Sequence, residues 1–224
     1  MAVSINDVYQ KVLMFANKEQ RGYITPQEFN MFADQAQKEI FEQYFYDIDL
    51  YSKRRGNSTE YADIIHNLNE KISIFEKNGL LVGSNIGALD LYRLGTVTST
   101  SNKVEVEQVQ QNEILYLNNS PLTKPTSNTP VYVRTGNSLK IYPPGTTANY
   151  TYIRKPLKPN WNYVVVDSRA MYNPVNTINF ELHASEESEL VYKILKFAGL
   201  SMKRDDLTKG GQGLESLQIQ QEKQ

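Results

Sequence analysis

Apolar side chains recur every three or four residues along residues 29–45, which is the spacing of one face of an α-helix. The residues just before this stretch form a helix start. Thr25 can cap the helix through its hydroxyl group, Pro26 suits the first helical position, and Glu28 can complete a capping box. The pattern predicts a helix over residues 26–46, roughly 30 Å long at ~1.5 Å per residue. Its predicted core positions are Phe29, Phe32, Ala36, Ile40 and Phe41.

The same period predicts three further helices. One spans residues 4–18, and the short connection to the long helix favours two antiparallel neighbours. Another covers about residues 59–77, up to an Asn-Gly pair that is typical of a helix end. The last covers about residues 185–199, with Ser185 as its cap. The core positions predicted on this last helix are Leu190, Ile194 and Leu195.

Between residues 80 and 178 the helical period gives way to short runs in which apolar and polar side chains alternate. Proline and glycine separate these runs at intervals that are typical of hairpins. The pattern predicts an antiparallel β domain, either a sandwich or a partial barrel. The predicted strands are LYRLGTVTST, KVEVEQV, EILYLNN, PVYVRT, SLKIYPP, NYTYIRKP and NYVVV.

These elements predict an α+β fold, in which both ends of the chain build a helical bundle and a β domain is inserted between them. The predicted parts are residues 1–79, the N-terminal helical part; residues 80–178, the inserted β domain; residues 179–204, the C-terminal helix that completes the helical base; and residues 205–224, a flexible docking tail.

The tail combines three glycines with a few apolar side chains. Gly210, Gly211 and Gly213 make it flexible, and it carries too little apolar surface to hold a helix by itself. We interpret it as a docking arm that a partner orders, with a plain disordered terminus as the alternative. The anchors predicted on the arm are Leu214, Leu217 and Ile219.

Composition narrows the classes of function. The 224 residues carry a formal net charge of −1, so no overall field favours nucleic acid or a membrane surface. The chain has no cysteine, which excludes disulfides, thiolate nucleophiles and cysteine metal sites, and suits a reducing cytoplasm. We expect neither a signal peptide nor a membrane helix, because the N-terminus lacks the charge pattern of the first and no run reaches the ~18 apolar residues of the second.

The residues that could perform catalysis or bind a metal do not form a recognisable motif. His66 and His183, the two histidines, have no partner at metal-ligand spacing, so structural or solvated roles are expected. The adjacent Glu186 and Glu187 fit a helix start better than a catalytic pair. Motifs for nucleotide binding, zinc proteases and serine hydrolases are absent. We therefore expect a protein that is not an enzyme, without a catalytic, cofactor-binding or metal site.

A basic triplet follows the long helix. Lys53, Arg54 and Arg55 precede Gly56 and Asn57, which is typical of an exposed loop. Such a loop can contact DNA phosphates without reading the base sequence, and in a ring of subunits the triplets would form a belt of positive charge. The alternative is a solvated loop without a partner.

Two segments carry a resemblance to a known group of proteins. NKEQRGYITPQEFNMFADQAQKEIFEQYF, at residues 17–45, resembles the N-terminal signature of virion structural proteins in tailed bacteriophages. The group it resembles most is the head–tail connector, or neck ring, proteins of crAss-like and related short-tailed phages. NFELHASEESELVYKILKFAGLSMKRDDL, at residues 179–207, is similar to a late segment of the same group. The two segments together cover about a quarter of the chain.

The resemblance implies a homo-oligomeric ring, a dodecamer, that joins the portal protein to the tail or to further neck proteins. It implies that DNA passes through the ring without sequence-specific contacts, and that the tail anchors dock on the portal or on a neighbouring copy. The implied location is the neck of the virion at the portal vertex, and the host cytoplasm during assembly. Neither a cofactor nor membrane association is implied.

Other hypotheses remain open. The protein can be another minor virion component, such as a collar, tail-tube or cargo-associated protein. A glycan- or receptor-binding module is also open, because the β region is rich in tyrosine, contains Trp161, and aromatic rings offer flat apolar faces with polar tips. A general nucleic-acid-binding domain is disfavoured by the near-neutral charge.

Overall fold

The structure, a computed structural model, confirms the predicted α+β class and describes residues 3–17, 24–53, 59–81, 86–201 and 205–222. Its helices are α1 (Ile5–Asn17), α2 (Pro26–Ser52), α3 (Thr59–Ser73), α4 (Glu113–Asn119), α5 (Glu187–Ser201) and α6 (Asp205–Glu222), with a 3-10 turn at Ala184–Glu186. Its strands are β1 (Glu76–Leu80), β2 (Leu91–Ser99), β3 (Glu107–Gln108), β4 (Val131–Thr135), β5 (Ser138–Tyr142), β6 (Ala148–Arg154), β7 (Tyr163–Val166) and β8 (Arg169–Tyr172).

The chain divides into two compact units, and the second is inserted into the sequence of the first. The helical unit comprises Met1–Ile74 and Pro156–Gln224, and the β unit comprises Phe75–Lys155. The predicted bounds of 80–178 for the inserted domain are therefore wrong at both ends. Residues 76–80, predicted to end a helix or to precede the β domain, form β1 because they pair with β6 along their whole length. Residues 156–178 fold with the helices instead of the sheets.

The long helix α2 begins where the sequence predicts. Thr25 Oγ1 accepts a hydrogen bond from the Glu28 backbone N at 3.3 Å, and the Glu28 carboxylate accepts one from the Thr25 backbone N at 3.0 Å. This capping box satisfies amide groups that the first helical turn leaves without partners. The helix continues to Ser52, well beyond residue 46, because Tyr51 still packs into the core.

The predicted core of the helical unit is confirmed with one exception. Phe32 is only half-buried, and its ring lies 6.4 Å from that of Phe197. The predicted core residues that are buried are Phe29, Ala36, Ile40, Phe41, Leu190, Ile194 and Leu195.

The two ends of the chain meet in this unit, as predicted. Val3 forms a β-bridge with Phe180, and the Ile5 backbone N donates to Asn179 Oδ1 at 3.1 Å. Helix α5 then packs against both α1 and α2. Segments that are about 175 residues apart in sequence therefore share one core.

The β unit contains two three-stranded sheets that share one core. The strand orders are β1-β6-β2 and β3-β4-β5, and within the described residues the sheets do not close into a barrel. The pairing is antiparallel except for the short β3, which runs parallel to β4. The core side chains are Leu81, Ile86, Val97, Val106, Tyr132, Leu139, Ile141, Ala148, Tyr150 and Tyr152.

One predicted strand of this unit is wrong. EILYLNN forms helix α4, whose start is capped by the Asn112 side chain accepting from the Glu113 backbone N at 3.1 Å. A short apolar run fits either period, and the sequence pattern alone does not distinguish the two. Only Ile114 of this helix is buried.

Candidate interaction surfaces

The C-terminal segment, predicted to be a flexible tail, is instead a helix packed against α5. Gly211 of α6 is buried, and a Cβ atom at this position would lie 3.2 Å from both the Lys196 backbone N and the Tyr192 backbone O. The missing side chain therefore allows the two helix backbones to approach closely. The prediction was wrong because glycine weakens an isolated helix, whereas a tertiary contact can stabilise one that contains it.

A buried ionic cluster joins α6 to α5. Lys193 Nζ donates to Glu215 Oε1 at 2.6 Å, and Lys196 Nζ donates to Glu215 Oε2 at 3.1 Å. The carboxylates of Glu189 and of Glu39 lie 3.4 and 4.0 Å from Lys193 Nζ. Lys193 and Glu215 are buried, so each charge needs the other to offset the loss of water.

The pKa values in this cluster shift in the directions that favour the charged forms. Burial acts to lower the pKa of Lys193, but its hydrogen bond to Glu215 and the nearby carboxylates outweigh burial, so its pKa is raised. Burial likewise acts to raise the pKa of Glu215, but the hydrogen bonds and charges of Lys193 and Lys196 outweigh it, so its pKa is lowered. The charged state of the cluster is thus coupled to the docking of α6.

The outer part of α6 carries two exposed leucines among polar residues. Gly211 and Glu215 are four residues apart and share the face that contacts α5. Leu214 and Leu217 are 42% and 57% exposed. Two of the three predicted anchors are therefore available to a partner, while the side chain of Ile219 lies outside the described residues.

A second group of exposed apolar side chains lies on the β7–β8 hairpin of the helical unit. The strands pair continuously from Tyr163↔Tyr172 to Val166↔Arg169. Asp167 and Ser168 form the turn with φ of +47° and +62°, a combination that matches the twist of a two-residue hairpin. The exposed apolar side chains on and just after the hairpin are Val164, Val165, Val166, Met171, Tyr172, Val175 and Ile178.

Trp161 anchors the root of this hairpin to the helices. Its ring stacks on Tyr163 with 5.7 Å between centroids and lies 4.2 Å from the ring of Tyr9 in α1. The Trp161 backbone N also donates to Asn30 Oδ1 of α2 at 2.8 Å. The hairpin therefore has a fixed root and an accessible, apolar outer part.

Trp161, one of the features behind the glycan-binding hypothesis, is buried, whereas Tyr116 and Tyr172 are exposed, so that hypothesis stays open. Trp161 is 2% exposed and belongs to the helical unit, so its ring is not offered to a ligand. The sheet tyrosines Tyr132, Tyr150 and Tyr152 are buried in the core of the β unit. Aromatic rings that are covered in this way pack the protein instead of binding a sugar.

The predicted basic loop is only partly described. Lys53 caps the end of α2, is exposed, and pairs with Asp49 at 2.6 Å across one helical turn. Arg54 and Arg55 lie outside the described residues. Contact of this triplet with DNA stays a prediction.

A cleft of about 390 Å³ in the helical unit is lined by several charged and polar side chains. Among its lining residues are Asp47, Lys71, His183 and Ser185. His183 Nδ1 lies 3.0 Å from Ser185 Oγ and accepts from the Ser185 backbone N at 3.3 Å. His183 is therefore the cap of the 3-10 turn, the role predicted for Ser185. Lys71 pairs with the buried Glu186 beside it, so its charge is balanced within the fold.

The other histidine, His66, does not line this cleft. His66 is exposed on α3. Among the described residues, no group of three or more His, Asp or Glu side chains is placed to hold a metal ion. No helix in this part of the chain is long and apolar enough to cross a membrane.

Sequence reasoning missed the hairpin as a surface. The run Val164-Val165-Val166 was expected within the β domain, and an unbroken apolar run is typical of a strand covered on both faces. The structure leaves these side chains exposed, and exposed apolar patches of this kind mark contact sites.

No protein-family model matches the chain, and no curated protein sequence matches it significantly.

Proposed function

We propose that the protein is a non-enzymatic structural component of a tailed-phage particle, a ring-forming head–tail connector. In this role it joins the portal vertex to the tail and extends the DNA channel. The two segments that resemble neck ring proteins contribute α2 and α5, which pack against each other in the helical unit. The two segments that carry the resemblance therefore lie in one packed region of the fold.

The observation that carries the proposal is the presence of two groups of exposed apolar side chains on the helical unit. One lies on the outer face of α6 and the other on the β7–β8 hairpin. A subunit in a closed ring uses different patches toward its two neighbours, and a connector needs a further face for the portal or the tail. Two exposed apolar elements on one small unit fit this requirement better than they fit a solitary monomer.

Each predicted partner is assigned to a surface of this unit. The outer face of α6, with Leu214 and Leu217, docks on the portal protein. The loop at Lys53, Arg54 and Arg55 faces the passing DNA, because positive charge near phosphates attracts DNA whatever its sequence. The ring is a dodecamer by the resemblance.

The test is co-expression of the full-length chain with the portal protein of the same phage. We expect the wild type to co-purify with the portal, and the double variant L214D/L217D to lose this binding while keeping its fold. The matched control is L89D/L122D, which places the same charges at two exposed leucines of the β unit and should bind the portal normally. A wild type that neither forms a ring nor binds the portal would contradict the proposal, and a ring that ignores the portal would indicate another virion component.

A further inference from the structure

We propose that the β7–β8 hairpin is the contact between neighbouring copies of this chain, with β8 of one copy pairing antiparallel to β7 of the next. This inference rests on the ring-forming function proposed above and names the surface that closes the ring. The partner that each hairpin binds is thus the same hairpin of a second copy, with the two tips level.

Both outer edges of the hairpin offer backbone groups to another strand. The Asn173 backbone N donates to the Asn162 backbone O at 2.9 Å, which makes these two residues a hydrogen-bonded pair. Hydrogen-bonded pairs alternate along an antiparallel ladder, so the backbone groups of Val165 and Ala170 point outward from the two edges. In the described part of the chain, β7 and β8 form a sheet of two strands only.

The hairpin carries little of the usual protection of a free edge apart from its short strands and Arg169 at the start of β8. Exposed edges are normally protected by lysine, proline or a bulge, because an apolar edge invites another chain to pair. Neither strand contains lysine or proline, and the register runs without a shift from Tyr163↔Tyr172 to the turn. Val165 on the β7 edge is 63% exposed. A two-stranded sheet of this kind is marginal alone and gains stability from further strands.

Charge at the tip favours one arrangement of two copies over the others. Asp167 lies in the turn directly after β7 and Arg169 at the start of β8, and both are exposed. When β8 of one copy lies beside β7 of the next with the tips level, Arg169 of the first copy lies opposite Val166 of the second, one residue away from Asp167. Two β7 edges placed side by side in the same direction would instead bring two aspartates together. The head-to-tail arrangement therefore brings opposite charges close together, and it repeats around a ring.

The same geometry explains why a second copy fits better than an unrelated partner. The hairpin has two different edges, and head-to-tail pairing uses both of them in every copy. Aromatic packing at Trp161 fixes the root of each hairpin, so copies related by rotation present their edges at one height. A partner that bound one edge would leave the other edge uncovered.

The experiment measures which neighbour an altered tip accepts. Affinity-tagged R169D is co-expressed with either the untagged wild type or untagged D167N, all as full-length chains. Beside the wild type, the new aspartate lies near Asp167 of its neighbour, whereas beside D167N it lies near a neutral side chain. Asparagine tolerates the left-handed turn conformation at position 167, so D167N keeps the turn. We expect the tagged chain to capture about two- to fivefold more D167N than wild type, since the repulsion between two exposed aspartates is present beside the wild type and absent beside D167N.

Each outcome decides the proposal. Equal capture of both partners overturns the hairpin contact but leaves the ring-forming function standing if the wild type assembles. A wild type that stays monomeric at all concentrations overturns both. Variants that assemble normally but fail to bind the portal would assign the hairpin to the portal instead, which also overturns this inference.

A second measurement does not depend on charge. The chain contains no cysteine, so D167C and R169C introduce single thiols on an otherwise inert background. A mixture of the two variants should form disulfide-linked dimers under mild oxidation, and the yield should be several-fold above that of either variant alone. Equal yields from the mixture and from the single variants would overturn head-to-tail pairing.

Discussion

The docking of α6 can be tested with two substitutions of the same kind in one helix. Gly211 faces α5, and a Cβ atom there would lie 3.2 Å from two backbone atoms that cannot move aside easily. Gly213 has nothing within 4 Å of its own Cβ position. We therefore predict effects of opposite sign for G211A and G213A, although both exchange glycine for alanine in α6.

The magnitudes follow from helix propensity and from packing. Alanine in place of glycine in an exposed helix stabilises by about 0.8–1.0 kcal/mol, so G213A should raise the free energy of unfolding by about that amount. At Gly211 the same gain is opposed by overpacking against α5, which costs about 1–3 kcal/mol. G211A should therefore be less stable than G213A by about 1–3 kcal/mol, because the change in the unfolded chain is the same in both variants.

The assay is thermal and urea unfolding followed by far-ultraviolet circular dichroism, with hydrogen exchange of the α6 amides as a local readout. For a chain of this size each kcal/mol shifts the Tm by about 2–4 °C, so the two variants should differ by several degrees. Faster exchange in α6 of G211A than of G213A would locate the effect. Equal stability and equal exchange in the two variants would refute the docking of α6 through Gly211.

Three further predictions concern the core, the ionic cluster and the basic loop. F29A and I40A should each destabilise the helical unit by ~2–5 kcal/mol in urea unfolding, because both side chains are fully buried. The exposed control M31A should change the free energy of unfolding by no more than ~0.5 kcal/mol. Small effects in all three variants would contradict this core. The pKa of Glu215 is lowered in the folded state, so its contribution to stability is present above its unfolded pKa and is lost as the pH falls through the folded value. Wild-type stability should therefore fall more steeply below pH ~4.3 than that of E215Q, and parallel acid profiles would show that the cluster does not hold α6. Reversing the charges of Lys53, Arg54 and Arg55 together should leave the free energy of unfolding unchanged but alter DNA retention or ejection in assembled particles. Particles that package and eject DNA normally would show that the triplet is only a solvated loop.

The parts of the fold that depend on neighbouring residues in sequence could be predicted from the sequence. The capping box of Thr25 and Glu28 involves residues three apart, and the apolar stripe of α2 identified Phe29 and Ile40 as core. Both signals are local, and the tertiary structure agrees with them. The sequence also predicted that both ends of the chain build one helical unit, because each end carries a helix with one apolar face.

The parts that depend on distant contacts could not be predicted in this way. The glycines near Gly211 suggested a loose tail, because the contact that uses the missing side chain lies on α5. The valines of β7 predicted a strand of the β domain, because an apolar run carries no sign of which side chains are covered and by what. The boundary of the β unit was displaced for the same reason: β1 is a strand only through its pairing with β6.

The central claim is that copies of this chain close into a ring, and the mass of the purified full-length protein tests it most directly. Native mass spectrometry with light scattering should find one dominant assembly, and a dodecamer of 25.7 kDa chains would have twelve times that mass, about 308 kDa. Electron-microscope class averages of the same sample should show a ring with an open centre. A species of 25.7 kDa at every concentration, with or without the portal protein, would contradict the account.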